Sequence, residues 1–272
     1  MGMSKILRTY WPFARAEIQG RMAYKMAYFF TAAEILLMLL SYFLWRAIFA
    51  SSGEEILNGF SFPEMVTYIF IGNLTKMCTA TAAFHVISQD VMEGSIGAQL
   101  IKPINYMAMT LFICIGIIIH DFIATGIPVF AGLFGYNYLT AGVLPDGILI
   151  LKFFLSFGLS FLLACLIDFC IGLIAFYTNY VFGVWMLKLA VMGFLSGGFI
   201  PFGFFPEVFQ RIFEFLPFGK LVYTPTMIYL GKISGVALWQ EIGLQVMWIV
   251  IFFGIANLIW SRAIKRLTVL GG

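Results

Sequence analysis

GILILKFFLSFGLSFLLACLIDFCIGLIAFY, Gly147 to Tyr177, is the run that decides the fold. Only Lys152 and Asp168 interrupt it. A helix crosses a bilayer with about 20 apolar residues, and this run is longer than that. The rest of the chain has the same character. Its 272 residues are 62% hydrophobic, 18% aromatic and only 11% charged, with a mean hydropathy of +0.98. Soluble domains run near about 45–50% apolar and about 25% charged, so the charges here are too few to wet a surface. Disorder, collagen-like repeats and a secreted disulfide scaffold are excluded by the same figures. The net charge of +3 implies no nucleic-acid partner. Cys78, Cys114, Cys165 and Cys170 all sit inside apolar runs. They read as small buried hydrophobes, because a disulfide framework or a metal site needs paired, accessible thiols. The first twenty residues are polar and basic and lead into a long apolar run, which argues against a cleaved signal peptide.

Apolar runs predict an all-α membrane protein in one transmembrane domain, residues 1–272, with six transmembrane helices: 24–49, 63–87, 104–134, 147–177, 180–199 and 236–260. The third and fourth are long enough to tilt or protrude, and Pro128 should kink the third. Lys5, Arg8, Arg15, Arg21, Lys25, Lys102, Arg262, Lys265 and Arg266 fall on one side. Only Arg211, Lys220 and Lys232 fall on the other, beside Glu54, Glu55 and Asp146. This bias places both termini in the cytoplasm and the protein, as a multi-pass chain, in the cytoplasmic (inner) membrane.

Three segments are not simple spans. Over 4–22, Ile6, Leu7, Tyr10, Trp11, Ala14, Ile18 and Met22 recur at helical spacing, with Arg8, Arg15, Glu17, Gln19 and Arg21 filling much of the other face. The pattern predicts an amphipathic helix in the cytoplasmic interface, near anionic lipid. The loop SQDVMEGSIGAQLIKP, 88–103, is the most polar stretch between spans. It is either a solvated connector or a short helix presenting Val91, Met92, Ile96 and Leu100 to a soluble partner. Pro103 suits the first turn of the third helix. The outer segment 196–235 is too apolar for a hydrated loop, yet Pro201, Pro206, Pro217 and Pro225 break it. A re-entrant or interfacial hairpin satisfies both facts, with a short helix over 208–216 opened by Pro206 and closed by Pro217.

Charges inside spans are costly and are paired or functional. Asp168 and Lys188 both fall about 12–14 Å deep at 1.5 Å per residue, on helices joined by a tight turn, and are expected to form an ion pair. Glu34 and Lys76, about 15 and 17 Å deep by the same rise, are a second expected pair. Such pairs either hold the bundle together or act as a polar switch. His120 and Asp121 are neighbours that should point about 100° apart on a helix, which makes a proton relay a thin reading. His85 falls near the cytoplasmic mouth.

No GxxxxGK[ST], GxSxG or HExxH is present, so neither a phosphate loop nor a hydrolase site is predicted. No catalytic residue, metal ligand or cofactor is assigned to this chain. Together, the six spans, the N-terminal helix, SQDVMEGSIGAQLIKPIN, the outer run GGFIPFGFFPEVFQRIFEFLPF and the tail SRAIKRLTVLGG resemble an ABC type-2 transporter permease. The resemblance covers nearly the whole chain. It implies that Asp90, Val91, Met92, Glu93, Gly94, Ser95, Ile96 and Leu100 couple to a separate soluble ATPase, present in two copies and carrying ATP and magnesium. It also implies a second permease, the same chain or a different one. The family exports drugs, lipids, peptides or lipid-linked glycans, with an outer hairpin closing the path; here that gate would be Pro201, Phe204, Phe205, Pro206, Phe209 and Pro217. An aromatic lid suits apolar cargo, though aromatics also anchor at interfaces. Two other readings remain: an ion- or proton-coupled secondary transporter using Glu34, Asp121 and Asp168, and a scaffold or immunity protein without transport.

Overall fold

The computed structural model describes residues 3–141, 146–178 and 180–270. Gly271 and Gly272 of the tail, and the side chain of Arg266, lie outside the described set. The chain begins with α1 (Met3–Ala23) and α2 (Lys25–Ser52), separated at Tyr24. A small antiparallel hairpin follows, β1 (Ile56–Leu57) on β2 (Phe60–Ser61). Its turn is Asn58-Gly59, both at positive φ, the residue pair that such tight hairpins need. Next come α3 (Phe62–Thr79), α4 (Ala83–Met92), α5 (Ile96–Ile101), α6 (Tyr106–Asp121), a π-helical turn (Phe122–Gly126) and α7 (Ile127–Ala141). The chain continues through α8 (Gly147–Gly172), a 3-10 turn (Leu173–Phe176), α9 (Val181–Leu195), a 3-10 turn (Phe202–Phe204), α10 (Glu207–Phe215), α11 (Tyr223–Tyr229) and α12 (Gly235–Leu270).

The architecture is that of an all-α membrane protein. Four helical stretches are long and apolar enough to cross a bilayer: Tyr28–Ser52, Tyr106–Tyr136, Gly147–Phe176 and Gly235–Lys265. The expected second span is not one helix. It divides into α3 and α4 at residues 80–82. Thr79 explains part of the break, because its hydroxyl donates to the Thr75 carbonyl at 2.8 Å, a competing bond that bends helices. The expected fifth span contains α9, whose 15 residues rise about 22 Å, short of the roughly 30 Å hydrocarbon core.

One local expectation is corrected. The third long helix does not begin around Pro103. Asn105 caps it, its side-chain oxygen accepting from the Ala108 amide at 2.9 Å, so the helix starts at Tyr106. Pro128, expected to kink the third span, follows a π-helical turn. The π turn directly before it, with the Ile127 amide reaching back to the Phe122 carbonyl, widens the helix and puts the proline in the first turn of α7, where its missing donor costs little.

Helix α1 is tied to the bundle along α6. Tyr10 stacks on Phe112 with centroids 5.6 Å apart, Ala14 lies on Gly116, and Arg21 meets Asp121 at 3.2 Å. The contacts advance in the same order on both helices, so the two run side by side in one chain direction. Tyr10 and Ala14 are buried there, while Leu7, Trp11 and Met22 of the same apolar stripe stay exposed. Gly116 permits the approach: a Cβ on it would fall inside the Ala14 carbonyl group. Gly116→Ala should therefore push α1 off α6 and cost about 1–3 kcal/mol, as overpacking does. A thermal unfolding midpoint equal to the unsubstituted chain's would refute that.

Candidate functional site

Four places gather the polar residues of an otherwise apolar molecule. The first is the α4–α5 tip, which contains the segment 88–103. Asp90 is half-buried. Its carboxylate accepts from the Ser95 hydroxyl at 2.6 Å and from the Tyr106 hydroxyl at 2.6 Å, pinning both arms of the turn to the start of α6. Ile96 is fully buried, against Ile87, Tyr106 and Phe169. Val91 and Leu100 pack partly on the same cluster. Met92, Glu93 and Gly94 form the exposed tip, together with Ile101, which is 85% exposed. Gly94 reverses the chain at φ 74°, a conformation that other residues resist. Ser95 is half-buried. The eight residues expected to contact a partner thus divide into an anchored inner set and an exposed outer set.

The second place is the break at residues 80–82. Lys188 Nζ lies 2.7 Å from Asp168 Oδ2, and the Thr81 hydroxyl donates to the same oxygen at 2.7 Å. Asp168 is 0% exposed and Lys188 is buried. The pair links α8 to α9, and Thr81 adds the α3–α4 break. Glu34 and Lys76 are not joined as the depth argument expected. Lys76 Nζ sits over the Phe199 ring, 3.8 Å from its centroid, beside a cavity of about 270 Å³ that it shares with Lys188. Equal depth does not put two side chains on facing sides of their helices. His85 lies against Trp185, with ring centroids 5.8 Å apart.

The third place is a cavity of about 500 Å³ between the end of α1, α2, α3 and α6, lined by Glu17, Arg21, Glu34, His120 and Asp121 among others. His120 and Asp121 do meet: His120 Nδ1 is 2.9 Å from Asp121 Oδ1. Arg21 bridges Asp121 at 3.2 Å and Glu17 at 3.1 Å.

The fourth place is the outer segment 196–235. Its short helix α10 begins after Pro206 and ends before Leu216 and Pro217. Pro201 and Pro217 are buried, Pro206 is exposed, and Phe209 is half exposed. Phe204 packs on Trp45 at 5.0 Å and Phe205 on Phe213 at 5.4 Å. The hub is Phe202, fully buried and stacked on Tyr223 at 4.2 Å. The Tyr68 hydroxyl donates to the Gly197 carbonyl at 2.6 Å and fixes the base. Lys220, counted among the outer-side charges, is 1% exposed. Its ammonium meets Glu241 Oε2 at 2.5 Å, and the Thr224 hydroxyl donates to the same oxygen at 2.9 Å. Its carbonyl accepts from the Ser160 hydroxyl at 2.7 Å and from Gln245 Nε2 at 3.0 Å. Sequence reasoning missed Glu241 and Gln245, both inside the last apolar run. Burial, and after it the neighbouring Glu241 carboxylate, raise the Glu214 carboxyl above its ordinary range, with Lys220 opposing.

Among the described residues no group of His, Cys, Asp or Glu is fit to hold a metal. A family model described as "ABC-2 family transporter protein" matches residues 35–271. The chain belongs to the ABC-2 transporter permeases. No curated protein matches it. As a member of this family the permease is a multi-pass membrane subunit, in a class whose members work with an ATPase subunit and typically with a second permease.

Proposed function

We propose that this permease is the membrane half of an ATP-driven exporter for a hydrophobic or amphipathic substrate, in the cytoplasmic membrane, with six crossings and both termini cytoplasmic. ATP and magnesium bind a separate ATPase chain, present in two copies, and this chain carries no cofactor and no catalytic residue. A second permease, identical or different, completes the path. The 196–235 segment dips into the outer leaflet and closes it, with Phe204, Phe205 and Phe209 as the apolar face.

The observation that carries this reading is the α4–α5 tip. Met92 is an exposed apolar side chain next to Glu93, on a turn held from within by Asp90, and Ile101, at the far end of α5, is an exposed apolar side chain too. A stiff polar–apolar knob at the end of a helix that leads into the membrane transmits a push from a soluble partner, where a loose connector would absorb it. Replacing Glu93 by Arg and Ile101 by Asp together alters the exposed set and leaves Asp90, Ile96 and Tyr106 untouched. In proteoliposomes with the co-purifying ATPase, the double variant should lose at least about fivefold of the stimulated hydrolysis, the scale of one or two rim contacts, with unchanged thermal unfolding. Undiminished stimulation would remove the assignment. Flux driven by a pH or ion gradient through the permease alone would favour the secondary-transporter reading instead.

A further inference from the structure

Two lysines share one small cavity between α3, α9 and the turn at residues 196–199. Its volume is about 270 Å³, and Lys76, Lys188 and Ser196 line it. No Asp or Glu among the described residues does. Ionisable groups inside spans are costly, and they are paired or mark a ligand path. Lys188 gives one N–H to Asp168 at 2.7 Å, and Asp168 is not part of the cavity wall. Lys76 gives none. Its ammonium lies over the Phe199 ring, 3.8 Å from the centroid, and Glu34 acts on it through space without an ion pair. An ammonium has three donors. A ring face balances its charge but does not accept three directed bonds, so most of the lysine donors on this wall stay unfilled.

Ser196 supplies a second and independent sign. It is 3% exposed and lines the same cavity. Its oxygen accepts from the Gly198 amide at 3.2 Å, while its own O–H has no acceptor among the described residues. Thr79, also on the wall, differs in this respect: its hydroxyl is spent on the Thr75 carbonyl at 2.8 Å. A buried polar group with an unfilled bond is uncommon in a native structure and asks for an explanation. Two ammonium groups and a hydroxyl therefore present donors to one space that holds no anionic side chain. Their common complement is an oxyanion, which takes charge-assisted bonds from all three.

The remaining wall is apolar and includes Leu189 and Leu221. A volume of about 270 Å³ falls just under the range of whole small-ligand pockets, about 300–1,000 Å³. It suits a head and its first carbons, with the rest of an alkyl chain outside. We propose that this cavity binds the oxyanion head of an anionic amphiphile, a phosphate monoester or carboxylate, between Lys76, Lys188 and the Ser196 hydroxyl. The proposal deepens the exporter reading and rests on it for the ligand's being cargo, but not for whether it binds.

The test uses the purified full-length permease without its ATPase, in phosphatidylcholine nanodiscs, with dodecyl phosphate as the probe in calorimetric titration against empty discs. One saturable site per chain is expected, at which dodecylamine binds at least about tenfold more weakly. Lys76→Met breaks no hydrogen bond or ion pair and should fold normally. It should weaken dodecyl phosphate about tenfold, the scale of one charge-assisted bond, and leave uncharged dodecanol unchanged. Phosphatidylglycerol added to the discs separates two sources of such a head. Displacement of the probe assigns the site to a bilayer lipid, and no displacement to a transported single-chain anion; the oxyanion site stands in both. Dodecylamine binding as tightly as dodecyl phosphate would overturn the proposal, and this holds even if the variant does not fold. So would an unaltered affinity in Lys76→Met with normal thermal unfolding. Hydrolysis by the reconstituted ATPase is read separately: stimulation without probe binding sinks this site alone, and probe binding without stimulation sinks the exporter reading alone.

Discussion

Lys188→Ala should be the most damaging single substitution in the membrane interior. Asp168 is 0% exposed, and its Oδ2 takes the Lys188 ammonium and the Thr81 hydroxyl, both at 2.7 Å. Its other oxygen has no partner. Removing the lysine leaves a buried charge with a single hydroxyl to satisfy it, a loss of about 3–5 kcal/mol. Asp168→Leu combined with Lys188→Met should recover most of that loss, because two apolar side chains of similar size need no mutual solvation. The reversed pair, Asp168→Lys with Lys188→Asp, should fold better than either single change. Unfolding in graded detergent mixtures would read all of these variants. If the double replacements are no more stable than the singles, the contact is incidental.

Glu241→Ala should come second. It strands Lys220, which is 1% exposed and whose ammonium has Glu241 as its one ion-pair partner among the described residues. Glu241 itself keeps 20% of its side chain exposed, so the reciprocal change, Lys220→Met, should cost less. The expected loss for Glu241→Ala is about 3–5 kcal/mol, that of a broken buried pair. Damage should concentrate in the outer segment, because the Lys220 carbonyl is also its bolt to Ser160 on α8 and Gln245 on α12. Protease cleavage between residues 205 and 220 should therefore accelerate more than cleavage at the α4–α5 tip. Equal acceleration at both would show a global rather than a local loss.

The parts legible in the sequence are those whose signal is local. Pro206 and Pro217 punctuate the outer segment, so α10 at Glu207–Phe215 lies within one residue of the range read from them. The meeting of Asp168 and Lys188 followed from depth alone because a short connection leaves their helices little choice but to be neighbours. The same arithmetic brought Glu34 to Lys76 and failed, because depth carries no information about rotation around a helix axis. Phe199, more than a hundred residues away, decides where Lys76 points. The partner of Lys220 was illegible for a related reason: Glu241 stands 21 positions later, inside another apolar run. The stripe on α1 was readable, but an apolar stripe suits lipid and a neighbouring helix equally. Asp90 reads in the sequence as a partner-facing residue of its loop; its hydroxyl partners, Ser95 and Tyr106, are not legible from the loop alone.

The interruption at residues 80–82 has a mechanical meaning. Above it, α3 is fastened to the outer structure by the Tyr68 hydroxyl. Below it, α4 is a rigid rod of 10 residues, about 15 Å long, carrying the exposed knob at its far end. A rod hinged at one end behaves as a lever: tilting it by about 10° moves the tip by roughly 2.6 Å at that length. Helix displacements of about 1–2 Å are enough to switch packed interfaces. A stroke of that size applied at Met92 would arrive at the fulcrum as torque on Thr81, and through it on the Asp168–Lys188 linkage that joins α8 to α9.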